Sequence, residues 1–324
     1  MHRLQEIAAA LLALAVWSPL AAQDGYPSKP VRWIVPYAAG GLPDTIARAT
    51  AQKVSESLGQ QVVVENRGGA GGIPGTEAAA RAAPDGYTFL VADVGQVAIN
   101  PHLYAKLSYD PARDLLPVSL IATANLFLVA NAGVPAKDFA ELVALAKAQP
   151  GKLNYGSSGI GSIHHLATES LKAALGLDIV HVPYKGTGES VPAMVGGQVA
   201  LVYSSLPSIA SHVKAGRVKV LAVSTLKRSA SAPEVPTVAE LGVTGYDFAP
   251  EIGLLTPAGT PPAIVARMSQ EVAKAVKSPE VAQRFAQLDI EPAGSTPADY
   301  AARIRAASDK YAQAVKISGA RLDN

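Results

Sequence analysis

The chain has 324 residues, 28 Lys+Arg against 26 Asp+Glu, 49% hydrophobic residues and no cysteine. At roughly 100–200 residues per domain, that length gives about two domains, each able to bury its own core. A net charge of +2 excludes a surface built to neutralise phosphates, so no nucleic-acid partner is expected, and without cysteine there is no disulfide framework, thiol nucleophile or thiolate metal site.

In chain order, Arg3 precedes an apolar run at 7–17, followed by Pro19 and the small pair Ala21-Ala22. This is the order of a secretory signal, with cleavage expected after Ala22 and a periplasmic mature chain. The run is shorter than the about 20 residues a membrane span needs. Strand 31–36, helix 45–58, strand 61–65, helix 75–83 and strand 87–92 follow, the pattern of parallel strands with crossover helices. The alternation resumes with strands 126–130, 153–155, 179–183, 199–203 and 218–223, separated by helices 138–148, 163–175, 190–195 and 209–215. A Pro-rich stretch, strand 252–256 and a mostly helical end complete the chain. The expected fold is α/β with two lobes, each a mostly parallel sheet flanked by helices and hinged as a clamshell around a ligand cleft. Residues 23–122 plus 226–324 form the first lobe and 123–225 the second, with crossings near 121–125 and 222–225.

Ligands of open α/β sheets sit beyond the carboxyl ends of strands. Three strand-to-helix segments qualify. The first is PYAAGGLPD (36–44), whose small residues and following helix N-terminus suit an anion; Tyr37, Ala39, Gly40, Gly41 and Leu42 are the expected contacts and Asp44 the expected N-cap. The second is YGSSGIGS (155–162), contributing Ser157, Ser158, Gly159, Ile160, Gly161 and Ser162. It contains no G-x-S-x-G hydrolase elbow, and His165 with Glu169 on one helix lacks the third ligand a metal needs. The third is VPYKGTGE (182–189), with Tyr184 and Thr187 as polar pocket groups and Lys185 read as a solvated surface lysine. Tyr203 and Ser204, at the end of strand 199–203, complete the expected contacts. The glycine run 68–75 fails as a dinucleotide fingerprint because Pro74 occupies the third glycine position. No metal and no cofactor are expected.

The chain resembles the periplasmic solute receptors of tripartite tricarboxylate transporters, the Bug or TctC-like family. PYAAGGLPD (36–44), NRGGAGGIPG (66–75), APDGYT (83–88), AINPHLY (98–104), YGSSGIGS (155–162), HVPYKG (181–186), GGQV (196–199), VPTVAEL (235–241) and TPAGTP (256–261) carry the resemblance over essentially the whole mature chain. It implies a type II-like Venus-flytrap fold, a monomeric non-enzymatic receptor, capture of a small carboxylate-bearing solute, and delivery to inner-membrane permease subunits. It also implies that backbone amides and hydroxyls of 39–42 and 157–162 hold the carboxylate, in loops that contain no Lys or Arg. Pro43, Asp93 and Glu251 depart from the pattern, as does the lack of acids at Ala193, Ala200 and Ser204. Asp93 and Glu251 are therefore candidates to meet an amine or hydroxyl, which would shift the solute from a simple dicarboxylate toward an aromatic, neutral or amino acid. Two other readings stand beside transport: a ligand sensor for a membrane signalling partner, and an exported hydrolase using Ser158 with His164 or His165.

Overall fold

The structure is a computed structural model and describes residues 25–322. The expected signal peptide lies outside the described residues. Strands β1 (Val31–Val35), β2 (Val62–Asn66) and β3 (Thr88–Ala92) pair in parallel through helices α1 (Leu42–Leu58) and α2 (Ile73–Ala80). Their apolar runs are what a sheet covered on both faces requires. A further strand, β4 (Leu115–Ala124), runs to the end of this lobe.

The chain then builds a second sheet. Its elements are β5 (Phe127–Asn131), α3 (Phe139–Ala148), β6 (Asn154–Ser157), α4 (Ile163–Leu175), β7 (Val180–Pro183), α5 (Thr187–Val195), β8 (Leu201–Ser204), α6 (Leu206–Lys214) and β9 (Val218–Val223). It returns for β10 (Glu251–Pro257), α7 (Pro262–Val276), α8 (Pro279–Gln287), β11 (Ile290–Pro292) and α9 (Pro297–Ser318). The first sheet has the order β11-β4-β10-β3-β1-β2 and the second β7-β6-β8-β5-β9. Both are mixed rather than mostly parallel, because β10 runs against β3 and β4, and β5 against β8 and β9.

Strand β4 is absent from the sequence reading because Pro117 argues against an inner strand. The sheet accommodates it with a bulge: Leu254 pairs with Ser119 but Leu255 pairs with Pro117, skipping Val118. One apolar cluster, with Trp33, Ile46, Val54, Met268 and Val272, lies under α1 and α7. Another joins the lobes: Ala92 and Leu103 share it with Tyr155, Leu166 and Tyr203, and Tyr300 and Tyr311 of α9 fill it. Helix α9 thus packs on α4 in one lobe and on β4 in the other. The stretch 226–250, expected with the first lobe, sends Ala232 and Val235 into the cluster of Phe127 and Val191 beside the second sheet. Among the described residues no helix is long and apolar enough to cross a membrane.

Candidate functional site

The first loop leaves β1 at Pro36 and enters α1 at Leu42, leaving Ala39, Gly40 and Gly41 exposed and Tyr37 and Leu42 half-buried. The N-cap of α1 is Gly41, with Pro43 in the first turn, so Asp44 is not the cap expected from sequence. The helix starts earlier because Pro43 fits its first turn and has no amide to satisfy there. Asp44 instead turns back beneath the loop. Its Oδ2 accepts the Gly40 amide at 2.8 Å, its Oδ1 accepts Asn66 Nδ2 at 2.9 Å, and Arg48 Nε lies 3.0 Å away. Burial opposes its ionisation, but the hydrogen bonds from Arg48, Gly40 and Asn66 outweigh it and hold the carboxyl below the usual range. The Gly40 amide is therefore engaged with the protein itself and is not free for a solute.

The glycine run 68–75 proves to be the backing of this loop. A Cβ on Gly68 would stand 3.0 Å from Ala38 N, and one on Gly75 2.9 Å from Pro36 Cα. These glycines let two backbones touch, a role hidden from a sequence that shows no contacts. Beside the loop, Asp93 follows the carboxyl end of β3 and is partly exposed. Its Oδ1 accepts the Gly95 amide at 2.6 Å, and the Tyr37 hydroxyl, which accepts Gln96 Nε2 at 2.9 Å, is its other hydrogen-bond partner. Burial pushes the Asp93 pKa up and the Tyr37 pKa further up. Glu251, by contrast, is buried against α9 and paired with Arg303 at 2.9 Å. Its charge is already matched, so it is not the solute contact that the sequence allowed.

The second loop divides into an inner and an outer set. Ser157 is 1% exposed. Its Oγ accepts the Gly159 amide at 3.1 Å and meets His181 Nε2 at 2.7 Å. The Gly161 amide donates to His165 Nδ1 at 3.1 Å, and Ser162 caps α4 by accepting the His165 amide. Ser157, Gly161 and Ser162 thus shape the loop, while Ser158, Gly159 and the exposed Ile160 form its open face. Ser158 Oγ lies 2.7 Å from His164 Nδ1. Gly161, at φ 74°, presses against Leu103 of the other lobe, so the second loop abuts the helical turns that begin just after Asp93.

Tyr184 and Thr187 both stay half-buried at the third loop, where the Tyr184 amide donates to Ser157 O at 3.1 Å and Lys185 is exposed. Tyr203 is different from expectation. It is 1% exposed, and its hydroxyl pairs with Tyr246 at 2.8 Å, which in turn donates to Ala167 O. Both faces of β8 are buried, so alternation alone left its direction open. Ser204 is fully buried at the same strand end, with no partner for its Oγ among the described residues.

Around the second loop three rings stack. His181 lies 4.8 Å from Tyr155 and 4.2 Å from His165, and the Tyr155 hydroxyl donates to Glu169 at 2.6 Å. Burial pushes both His164 and His181 down to about 4 from 6.5, with the neighbouring His165 adding to the effect at His181. Between those values the unfolded chain binds more protons than the folded one. The stability these two imidazoles confer is therefore complete above pH 6.5 and eroded as pH falls toward 4. Melting curves across that window should show a falling Tm, and His181→Gln should flatten the dependence; an unchanged slope would remove His181 as a cause. No group of three or more His, Cys, Asp or Glu among the described residues is placed to hold a metal. Ser158 and His164 do meet, yet no carboxylate orients the imidazole among the described residues, which leaves the hydrolase reading without its third member. A separate surface groove of about 620 Å³, lined by Leu116, Pro117, Pro262 and Val265, contains none of the loop residues.

The comparisons with known proteins bear on the family and the fold. Residues 46–319 match the family described as tripartite tricarboxylate transporter family receptor. The protein BugT of Bordetella pertussis is 35% identical over 323 residues, covering 99% of both chains. A protein of R. palustris solved with adipate is 34% identical with a TM-score of 0.84, covering 92% of this chain and all of that one. MatC of Rhodopseudomonas palustris, solved with bound malate, is 31% identical with a TM-score of 0.79, covering 90% and 100%. The chain belongs to the tripartite tricarboxylate transporter receptor family, a family of periplasmic solute-binding receptors rather than enzymes, with the two-lobe α/β fold of its relatives.

Proposed function

We propose that this receptor captures a small carboxylate-bearing solute between the loops 36–41 and 157–162 and delivers it, as a monomer in the periplasm, to membrane permease subunits. The carrying observation is the pair of strand-to-helix loops whose open faces offer small residues, Ser158 and helix N-termini without Lys or Arg. Helix dipoles, each worth about 0.3–2 kcal/mol, and charge-assisted hydrogen bonds replace a formal cation. A solute bridging both lobes favours the closed form by its differential affinity, with the connections near 121–125 and 222–225 as hinges. Export through the N-terminal signal is followed by its removal near Ala22.

The adipate- and malate-bound relatives support the carboxylate class. A thermal-shift screen of carboxylates and amino acids identifies the solute: ligand at 100 times its Kd adds about 2.7 kcal/mol of stability. With that ligand, Ser158→Ala is expected to lose about 1.5–3 kcal/mol of binding in calorimetry, the value of a hydrogen bond to a charged group, beside a smaller fall in unliganded Tm from the lost contact with His164. Unchanged affinity would take Ser158 out of the site.

A further inference from the structure

Three of the four buried acids among the described residues are matched by cations, Asp44 by Arg48, Glu251 by Arg303, and Glu271 by Arg267 and Lys274, and the fourth, Asp289, is held by the Asn125 amide and the Ser229 hydroxyl. Asp93 forms no ion pair among the described residues, although burial disfavours its charged form. Its protein partners are the Gly95 amide and the Tyr37 hydroxyl, two donors for a carboxylate that accepts about four hydrogen bonds. It stands at the carboxyl end of β3, next to the strand that feeds the first loop, and remains partly exposed. The surroundings offer hydroxyls rather than a counter-charge. Tyr300 and Tyr311 lie within electrostatic reach of Asp93, and both hydroxyls are buried with no partner among the described residues. Tyr300 packs over Gly253, which pairs with Ala92, the residue before Asp93.

We infer that Asp93 receives an ammonium group of the solute, so that the receptor selects an amino-bearing carboxylate over a dicarboxylate of the same length. This deepens the proposed function and rests on its assignment of the solute carboxylate to the two loops. An ammonium supplies both a counter-charge and donors where the protein provides oxygens. A second solute carboxylate at that place would set two like charges side by side in a poorly hydrated cleft, which is unfavourable.

The test is calorimetry at neutral pH with straight-chain ω-amino acids and α-amino acids, each set against the dicarboxylic acid of equal length. The best amino-bearing probe should bind about tenfold or more tighter than its dicarboxylate twin, the scale of one matched charge. In Asp93→Asn, and in Asp93→Ser, that ratio should collapse to within about threefold or invert. The ratio is taken within one variant, so a general loss of stability does not alter it. A preference for the dicarboxylate in the unmodified protein, a ratio unmoved by both substitutions, or no binding in either series would overturn the inference. Ser158→Ala separates the two claims: it should weaken both series together, and failure there counts against the loop site, not against Asp93.

Discussion

Asp44→Ala is expected to destabilise the receptor by about 3 kcal/mol, roughly 5–10 °C in Tm for a chain of this size, and to weaken solute binding with it. Asp44 is 3% exposed and joins the first loop, α1 and β2 through the Gly40 amide, Arg48 and Asn66. Asn66 in turn donates to Tyr37 O and accepts from Arg48 Nη2, so the loop is held at both ends. Removing the carboxylate leaves Asn66 short of an acceptor in a half-buried place. Arg48 is half-exposed and can return to water, which keeps the cost below that of a fully buried ion pair. The same contribution has an acid signature. Because the folded pKa lies below the ordinary 3.8, it is present above that pH and lost as pH falls through the folded value. Paired melts at neutral pH and near pH 3 check both statements; a Tm within a degree of the unmodified protein would refute the bracing role.

Gly161→Ala should weaken solute binding by about 2–3 kcal/mol, roughly 30- to 150-fold. The added Cβ would run into the Leu103 side chain, which opposes closure. At φ 74° the left-handed backbone costs an L side chain free energy in the open and closed forms alike, and so lowers the Tm rather than the affinity. Gly161 belongs to one lobe and Leu103 to the other, so the steric part acts when the lobes meet and is relieved when they part. Affinity should therefore fall more than the unliganded Tm does. Adding Leu103→Ala should restore the affinity and leave the backbone part as a lowered unliganded Tm. Calorimetry on the single and double variants measures the split, and full affinity in Gly161→Ala would show that the lobes close without this contact.

The βα rhythm of this chain is legible because each strand is a short β-branched run and each helix carries its own punctuation. Helix 163–175 matches α4 to the residue, with Ser162 as its cap and Gly176 as its stop. The loops proposed to hold the solute are visible for a related reason: small residues after a strand and before a helix let backbone amides approach a ligand. What escaped detection depends on contacts distant in sequence. Pro117 hid β4, whose bulge makes sense only beside β10. Glu251 could not be told from a solute contact without Arg303, which lies fifty-two positions later on α9. Tyr203 sits on a strand buried on both faces, so period-two alternation could not say that it turns to Tyr246. The glycine run 68–75 signalled close approach without saying to what; the answer is the backbone of the first loop.

The position of β10 has a consequence for how the chain must be assembled. Residues 251–257 fill the slot between β3 and β4 in the first sheet, yet they follow the whole of the second sheet in the sequence. A chain emerging from its N-terminus therefore reaches residue 223 with β3 and β4 lacking their shared neighbour, and only the return strand can close that ladder. Such a lobe gains its cooperativity late, since its pairings span long loops whose closure entropy must be met first. In the export proposed above, a central strand encoded near the end would keep the first lobe open until most of the molecule has crossed.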